Sequence, residues 1–212
     1  MTAQEKFLKG VYASVDEAAA CELDRLRRDE GIIPTCKAGC CYCCRYHVLI
    51  TPIEAHGLAH YIRQEFSADQ TNDLRMRTQE WHRWDSARPG RPSSSPSVKP
   101  AAGPINDPCC PLLVKGLCSA YPMRPDVCRT HYVHSHPLYC CEASNPDSTE
   151  APPVPLTTVV TAARPYSSAI PDQIEGAGLD LSRSIMLLPH WLGIVMGWEF
   201  GCTDSPSRGF KR

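Results

Sequence analysis

Five cysteines fall within nine consecutive positions in CKAGCCYCC, Cys36 to Cys44, and no other stretch constrains the chain as much. A single thiol is easily buried, but five packed this tightly along one backbone are hard to explain by packing. Thiolates are soft ligands, and crowding them into one loop makes chemical sense when a cation neutralises them. The loop reads as half of a metal or iron–sulfur site.

The chain has thirteen cysteines in 212 residues, and an odd count cannot pair fully within one chain. The N-terminus, MTAQEKFLKGVYASVDE, is charged throughout and lacks the apolar core of a signal peptide. In the cytoplasmic, reducing setting this implies, clustered cysteines signal metal binding or catalysis rather than disulfides. The net charge is −1, with Lys and Arg dispersed, so neither nucleic acid nor an anionic membrane is an expected partner. The least polar stretch, Ile185 to Phe200, is too short to span a bilayer and contains Pro189, His190 and Glu199.

Helical spacing dominates the first third. Phe7, Val11, Val15, Ala18 or Ala19, Glu22 or Leu23, and Leu26 recur along Thr2 to Glu30, with alanines filling the gaps. Gly31 suits a left-handed helix end and Pro34 blocks continuation. Cys21, inside this helix, is expected to be a buried structural cysteine. After a short apolar run over His47 to Ile50, Thr51-Pro52-Ile53-Glu54 is a capping box opening a helix whose Leu58, Ile62 and Phe66 should face a core. Ser67-Ala68-Asp69-Gln70 repeats the signal for a helix running to about Ala87, with Trp81 and Trp84 on one face. His56, His60 and His82 on these helices read as ordinary surface or core histidines. Arg88 to Pro108 holds six prolines and cannot keep regular structure.

A second cysteine-rich region runs from Cys109 to Cys141. Within it Lys115-Gly116, flanked by apolar residues, reads as a tight turn of the kind that lets backbone amides face thiolate sulfurs. Asn145 to Pro155 is a further proline-rich break. Leu156 to Ala163 is mixed in character, and a helix is expected over Ser184 to Trp198. Cys36, Cys40, Cys43, Cys110, Cys118 and Cys128 form the strongest ligand set, with Cys44 and Cys141 as additions. Thiols two or three residues apart let one loop wrap a metal while later ligands close the site. Four thiolates around zinc leave a net double negative charge, which Arg45, Arg124 and Arg129 stand near enough in sequence to offset. His131, His134 and His136, in HYVHSH, are candidate nitrogen ligands. Adjacent cysteines occur four times, at 40–41, 43–44, 109–110 and 140–141. Neighbouring side chains point in different directions, so one member of a pair can ligate while the other is buried, or the two can bridge metals.

Cys36-x3-Cys40-x-Tyr42-Cys43 also matches the radical S-adenosylmethionine signature, in which three cysteines hold a [4Fe–4S] cluster. That signature needs a preceding strand and strand–helix alternation after it, whereas here helices and proline-rich breaks surround the loop.

The pattern resembles the YkgJ-type cysteine-cluster family of zinc- or iron-chelating domains. The resemblance rests on CKAGCCYCC at 36–44, VLITPIEAHGLA at 48–59, Cys110-Pro-Leu-Leu, Gly116-Leu-Cys118-Ser-Ala-Tyr121 and Arg124-Pro125-Asp-Val-Cys128-Arg129. It covers residues 36 to about 141 and implies chelation by Cys36, Cys40, Cys43, Cys44, Cys110, Cys118 and Cys128, with Cys41 and Cys109 outside its pattern. Some relatives are flagellin lysine N-methylases, but they are longer, and no glycine-rich nucleotide fingerprint is visible here.

The resulting expectation is a mainly α chain: a small helical domain with irregular cysteine-rich metal-binding loops and proline-rich insertions. Residues 1–31 would form an N-terminal helix, 32–145 the metal-binding domain with a flexible insertion at 88–108, and 146–212 an extension packing on the core. The expected cofactor is zinc or iron, an iron–sulfur cluster among the forms it could take. The alternative is an iron–sulfur enzyme using S-adenosylmethionine, of radical type or related to the lysine methylases.

Overall fold

The structure, a computed structural model, describes residues 3–37, 39–86, 108–143 and 149–200. The insertion expected over 88–108 lies outside the described residues except for Pro108, and so does most of the 145–155 break's first half. The chain is mainly α-helical, with only two small two-stranded sheets among the described residues.

Helix α1 (Ala3–Arg25) continues into one π-helical turn, Leu26–Glu30, and stops at Gly31, whose φ of 67° is left-handed and whose N–H donates to the Leu26 carbonyl. Leu8, Val11, Tyr12, Val15, Ala19 and Leu26 form its buried face. Leu8 therefore takes the core position that the spacing assigned to Phe7, which is only partly buried. Cys21 is exposed, contrary to expectation. It sits two residues past Ala19, about 200° further round the helix, and so on the far side from the core.

A two-residue strand, β1 (Leu49–Ile50), leads into α2 (Pro52–Glu65). The capping box is formed in both directions: Thr51 Oγ1 accepts from the Glu54 N–H, and Glu54 Oε2 accepts from the Thr51 N–H at 2.9 Å. Gly57 lets α2 approach α1, because a Cβ there would stand 2.5 Å from Leu8 Cδ2. Ser67 and Gln70 make the equivalent reciprocal bonds ahead of α3 (Ala68–Ser86).

The second cysteine region starts with a hairpin of β2 (Leu113–Val114) and β3 (Leu117–Cys118), with Leu113 opposite Cys118. Lys115 and Gly116 at its tip have φ of 50° and 80°, the pair of positive values a type I′ turn requires. Two short helices follow, α4 (Asp126–Thr130) and α5 (Pro137–Glu142). The stretch read as mixed is helical, α6 (Thr157–Ser167), followed by α7 (Ala169–Gly176) and α8 (Leu181–Ser184).

The last expected helix starts later than Ser184. Met186 and Leu187 form β4, antiparallel to β1 in the register Leu49 to Leu187 and Ile50 to Met186. Helix α9 (Leu188–Met196) begins only there, with Pro189 in its first turn, where a missing N–H costs nothing.

Helix α1 lies along α6 and also packs on α2 and α4, while α9 packs on α2 and α3. The main core joins Leu8, Val15, Leu58, Ile62, Leu74, Ile174, Leu188 and Leu192, and a smaller cluster gathers Ala19, Leu26, Leu156 and Val159. No helix among the described residues is long and apolar enough to cross a membrane.

Candidate metal centre

From Gly31 to Leu49, no described residue is fully buried. The first cysteine loop therefore draws little hydrophobic stabilisation, and directional bonds hold it. Thr35 donates its N–H to the Val133 carbonyl at 3.0 Å and its hydroxyl to the Ser135 carbonyl at 2.7 Å. A 3₁₀ turn, Tyr42–Arg45, carries Cys43 and Cys44. The Cys44 carbonyl then accepts from the Cys110 N–H at 2.7 Å, tying the two cysteine-rich segments together directly. Arg77 on α3 secures the next residue, its Nε donating to the Pro111 carbonyl at 2.8 Å.

The thiols gather around this tie. Cys43 and Cys44 hydrogen-bond side chain to side chain, which holds Cys43 down at about 7 and pushes Cys44 up. Burial raises Cys110 to about 12, with Cys118, Cys109 and Cys43 adding repulsion. Burial likewise raises Cys128, with Cys110, Cys43 and Cys118 as its charged neighbours, while the Arg124 guanidinium opposes the rise. Cys118 is raised by burial and relieved by an Ala120 backbone bond and by Arg124. Burial also raises Cys36, whose sulfur accepts from the Val133 N–H at 3.4 Å and stands near Cys40 and Cys43. Thiols that raise one another's pKa in this way are the donor set that a cation relieves. The residue types fit zinc or iron. Even so, among the described residues no three Cys, His, Asp or Glu side chains already surround a point where an ion could sit.

Arg124 and Arg129 are held beside this group. Arg124 lies over the Tyr121 ring at 4.0 Å and pairs with Asp16 at 3.5 Å. Arg129, almost fully buried, lies over the Tyr12 ring at 3.9 Å, pairs with Asp16, and donates to the Pro122 and Arg124 carbonyls. The Arg-Pro-x-x-Cys-Arg segment is thereby pinned to α1.

The sequence model of the CxxCxxCC family, described as a "putative zinc- or iron-chelating domain", matches residues 35–152. That span is more than half of the chain. The chain belongs to the CxxCxxCC family. Neither curated proteins nor solved structures give a match.

Within the CxxCxxCC segment, Cys140 and Tyr46 lie beside the first cysteine loop, and the sequence did not single out either. It singled out Cys141 from the last cysteine pair, yet Cys140 is the buried member. Cys140 is raised by burial and neighbours Cys36, Cys40 and Cys43, close to the buried Tyr46 hydroxyl, which makes no hydrogen bond among the described residues. Neighbours on a helix differ by about 100° in direction, and only the fold shows which of the two faces inward. Of the three candidate histidines, His131 stands edge-on to Tyr46 in the loop with ring centres 5.6 Å apart, and its buried Nε2 has no hydrogen-bond partner among the described residues. His136 instead caps α5, its Nδ1 accepting from the Leu138 N–H, and His134 is exposed.

Proposed function

We propose that the chain chelates zinc or iron through thiolates from two half-sites. Cys36, Cys40, Cys43 and Cys44 supply the first. Cys110, Cys118 and Cys128 supply the second, with a further thiol from the Cys140–Cys141 pair. The observation that carries this reading is the Cys110-to-Cys44 backbone bond. It joins two segments some seventy residues apart at the point where their cysteines meet, and the first of them has no fully buried described residue from Gly31 to Leu49. Zinc and iron both accept all-thiolate coordination, so the bound metal would close loops that the helical core leaves open. The protein's own contribution is to bury the sulfurs, to aim the Val133 N–H at Cys36, and to hold the Arg124 charge beside Cys43, Cys118 and Cys128.

The radical S-adenosylmethionine reading gains no support from the fold. The strand–helix alternation it requires is not found among the described residues, whose strands are two residues long. The test is to prepare the full chain without oxygen and measure zinc, iron and acid-labile sulfide. Stoichiometric zinc in a colourless protein identifies a zinc domain, and iron with sulfide in a brown one identifies an iron–sulfur cluster. Failure to retain either metal overturns the proposal.

A further inference from the structure

We infer that the thiols divide into two four-thiolate compartments, Cys36, Cys40, Cys43 and Cys140 in one and Cys44, Cys110, Cys118 and Cys128 in the other, with Cys43 and Cys44 at the junction. The inference rests on the chelation reading above and adds to it the number of metal sites and the thiols belonging to each.

The first compartment is built by α5 lying on the Tyr42–Arg45 turn. That packing brings Cys140, only 6% exposed, beside Cys36, Cys40 and Cys43. One neutral donor serves this group directly: the Val133 N–H reaches the Cys36 sulfur at 3.4 Å. The second compartment is built by the β2–β3 hairpin and α4. The Cys110 N–H on the Cys44 carbonyl seats the hairpin against the turn, the β2–β3 pairing places Cys118 opposite Leu113, and Cys128 comes in from α4. Each of these thiols lies near others of the same group: Cys44 by Cys110 and Cys118, Cys128 by Cys110 and Cys118. Here the helper is a full charge, Arg124, braced by Tyr121 and Asp16.

Cys43 is a neighbour of both groups and touches Cys44. Consecutive side chains on a 3₁₀ turn leave the backbone about 120° apart, so each can serve a different side while their sulfurs stay in contact. Zinc and iron are each satisfied by four thiolates, and eight thiolates sharing one divalent ion would leave six negative charges uncompensated, against two at each of two four-thiolate sites. Cys41, Cys109 and Cys141 are left as the non-ligating members of their adjacent pairs.

The test loads the reduced full chain with zinc and counts bound ions by native mass spectrometry. The wild type should hold two zinc ions, Cys140→Ser and Cys128→Ser one each, and Cys141→Ser two. One ion in the wild type overturns the partition, as does loss of both ions from either single variant, or loss of one from Cys141→Ser. A wild type holding neither zinc nor iron overturns the chelation reading instead. Because a serine variant can misfold, the wild type is also loaded with cadmium-113. Two resonances in the four-sulfur range support the inference, and any other number or a mixed-ligand shift overturns it.

Discussion

Removing the Glu54 carboxylate should loosen three elements at once. Glu54 is 6% exposed and both its oxygens are used. Oε2 accepts from the Thr51 N–H and hydroxyl, each at 2.9 Å, and Oε1 accepts from the Asp126 N–H at 3.0 Å and the Tyr12 hydroxyl at 3.4 Å. The carboxylate therefore ties the start of α2 to α1 and to the start of α4, which carries Cys128. In Glu54→Ala the Thr51 groups can recover water, leaving the loss of a helix cap at about 1 kcal/mol. The Tyr12 hydroxyl, only 3% exposed, cannot, and the bond from the Asp126 N–H lost a charged acceptor; together these cost roughly 3 kcal/mol. Relief partly offsets the sum. Asp126 is held up at about 6, first by burial and next by Glu54, and it would ionise more easily once its neighbour is gone. The expected net loss is about 3 kcal/mol, or roughly 6–12 °C in Tm for a chain of this size. Glu54→Gln keeps an acceptor and should lose about half as much. Urea and thermal unfolding of the zinc-loaded proteins measure both. A Glu54→Ala protein within about 0.5 kcal/mol of wild type would refute the reasoning.

Two helical glycines should respond to alanine with opposite signs. Gly10 has open space around it, so Gly10→Ala should stabilise by about 1 kcal/mol through helix propensity. Gly57→Ala would press its Cβ to 2.5 Å from the fully buried Leu8, and should destabilise by about 1–2 kcal/mol despite the same propensity gain; equal unfolding midpoints for the two would contradict this. His82 has its pKa lowered by burial, next to His190 and Asp85, while its Nε2 bonds the Pro189 carbonyl at 3.0 Å. A depressed folded pKa means stability that is present above the unfolded value of about 6.5 and lost as pH falls through the folded one. Urea midpoints should fall in that window for wild type and fall less for His82→Gln, and parallel profiles would remove His82 as the cause. Stripping metal with a chelator should speed amide exchange over residues 31–49 and 109–141 while α1, α2 and α6 stay protected, whereas uniform acceleration would show that metal supports the whole fold.

Much of the fold was legible because its signals are local. The Thr51–Glu54 and Ser67–Gln70 caps, the left-handed Gly31 and the Lys115-Gly116 turn each depend on residues within four positions of one another, and each stands where the sequence put it. What escaped was decided at long range. Met186 and Leu187 look helical beside Leu188 to Met196, yet pairing with Leu49 and Ile50 takes their backbone groups into a sheet. Cys21 carries a residue type that favours burial, and only the helical phase relative to Ala19 turns it outward. The site follows the same division. Spacing gathered Cys36, Cys40 and Cys43 into one loop, but that Cys140 rather than Cys141 is the buried member of its pair needed α5 laid on the Tyr42–Arg45 turn.

The energetic split between scaffold and cysteine loops also accounts for the arginines. The fully buried core of Leu8, Val15, Leu58, Ile62, Leu188 and Leu192 comes from α1, α2 and α9, with Cys110 and Cys118 only partly buried against it, so the helices can define a platform before metal arrives. Asp16 stands on that platform and holds both Arg124 and Arg129, which flank the Cys128 segment. Positive charge is thus placed by the scaffold rather than by the loops it serves. That is the arrangement a thiolate site needs if its sulfurs are to lose their protons to a cation without the loops springing apart. It also gives Asp16 a specific weight: Asp16→Asn should leave the helical platform folded, yet weaken zinc binding several-fold by freeing Arg124. Competition with a metal-sensitive dye measures the affinity, and far-UV circular dichroism controls for the fold. Unchanged zinc affinity in a folded Asp16→Asn protein would show that the loops compensate their own charge.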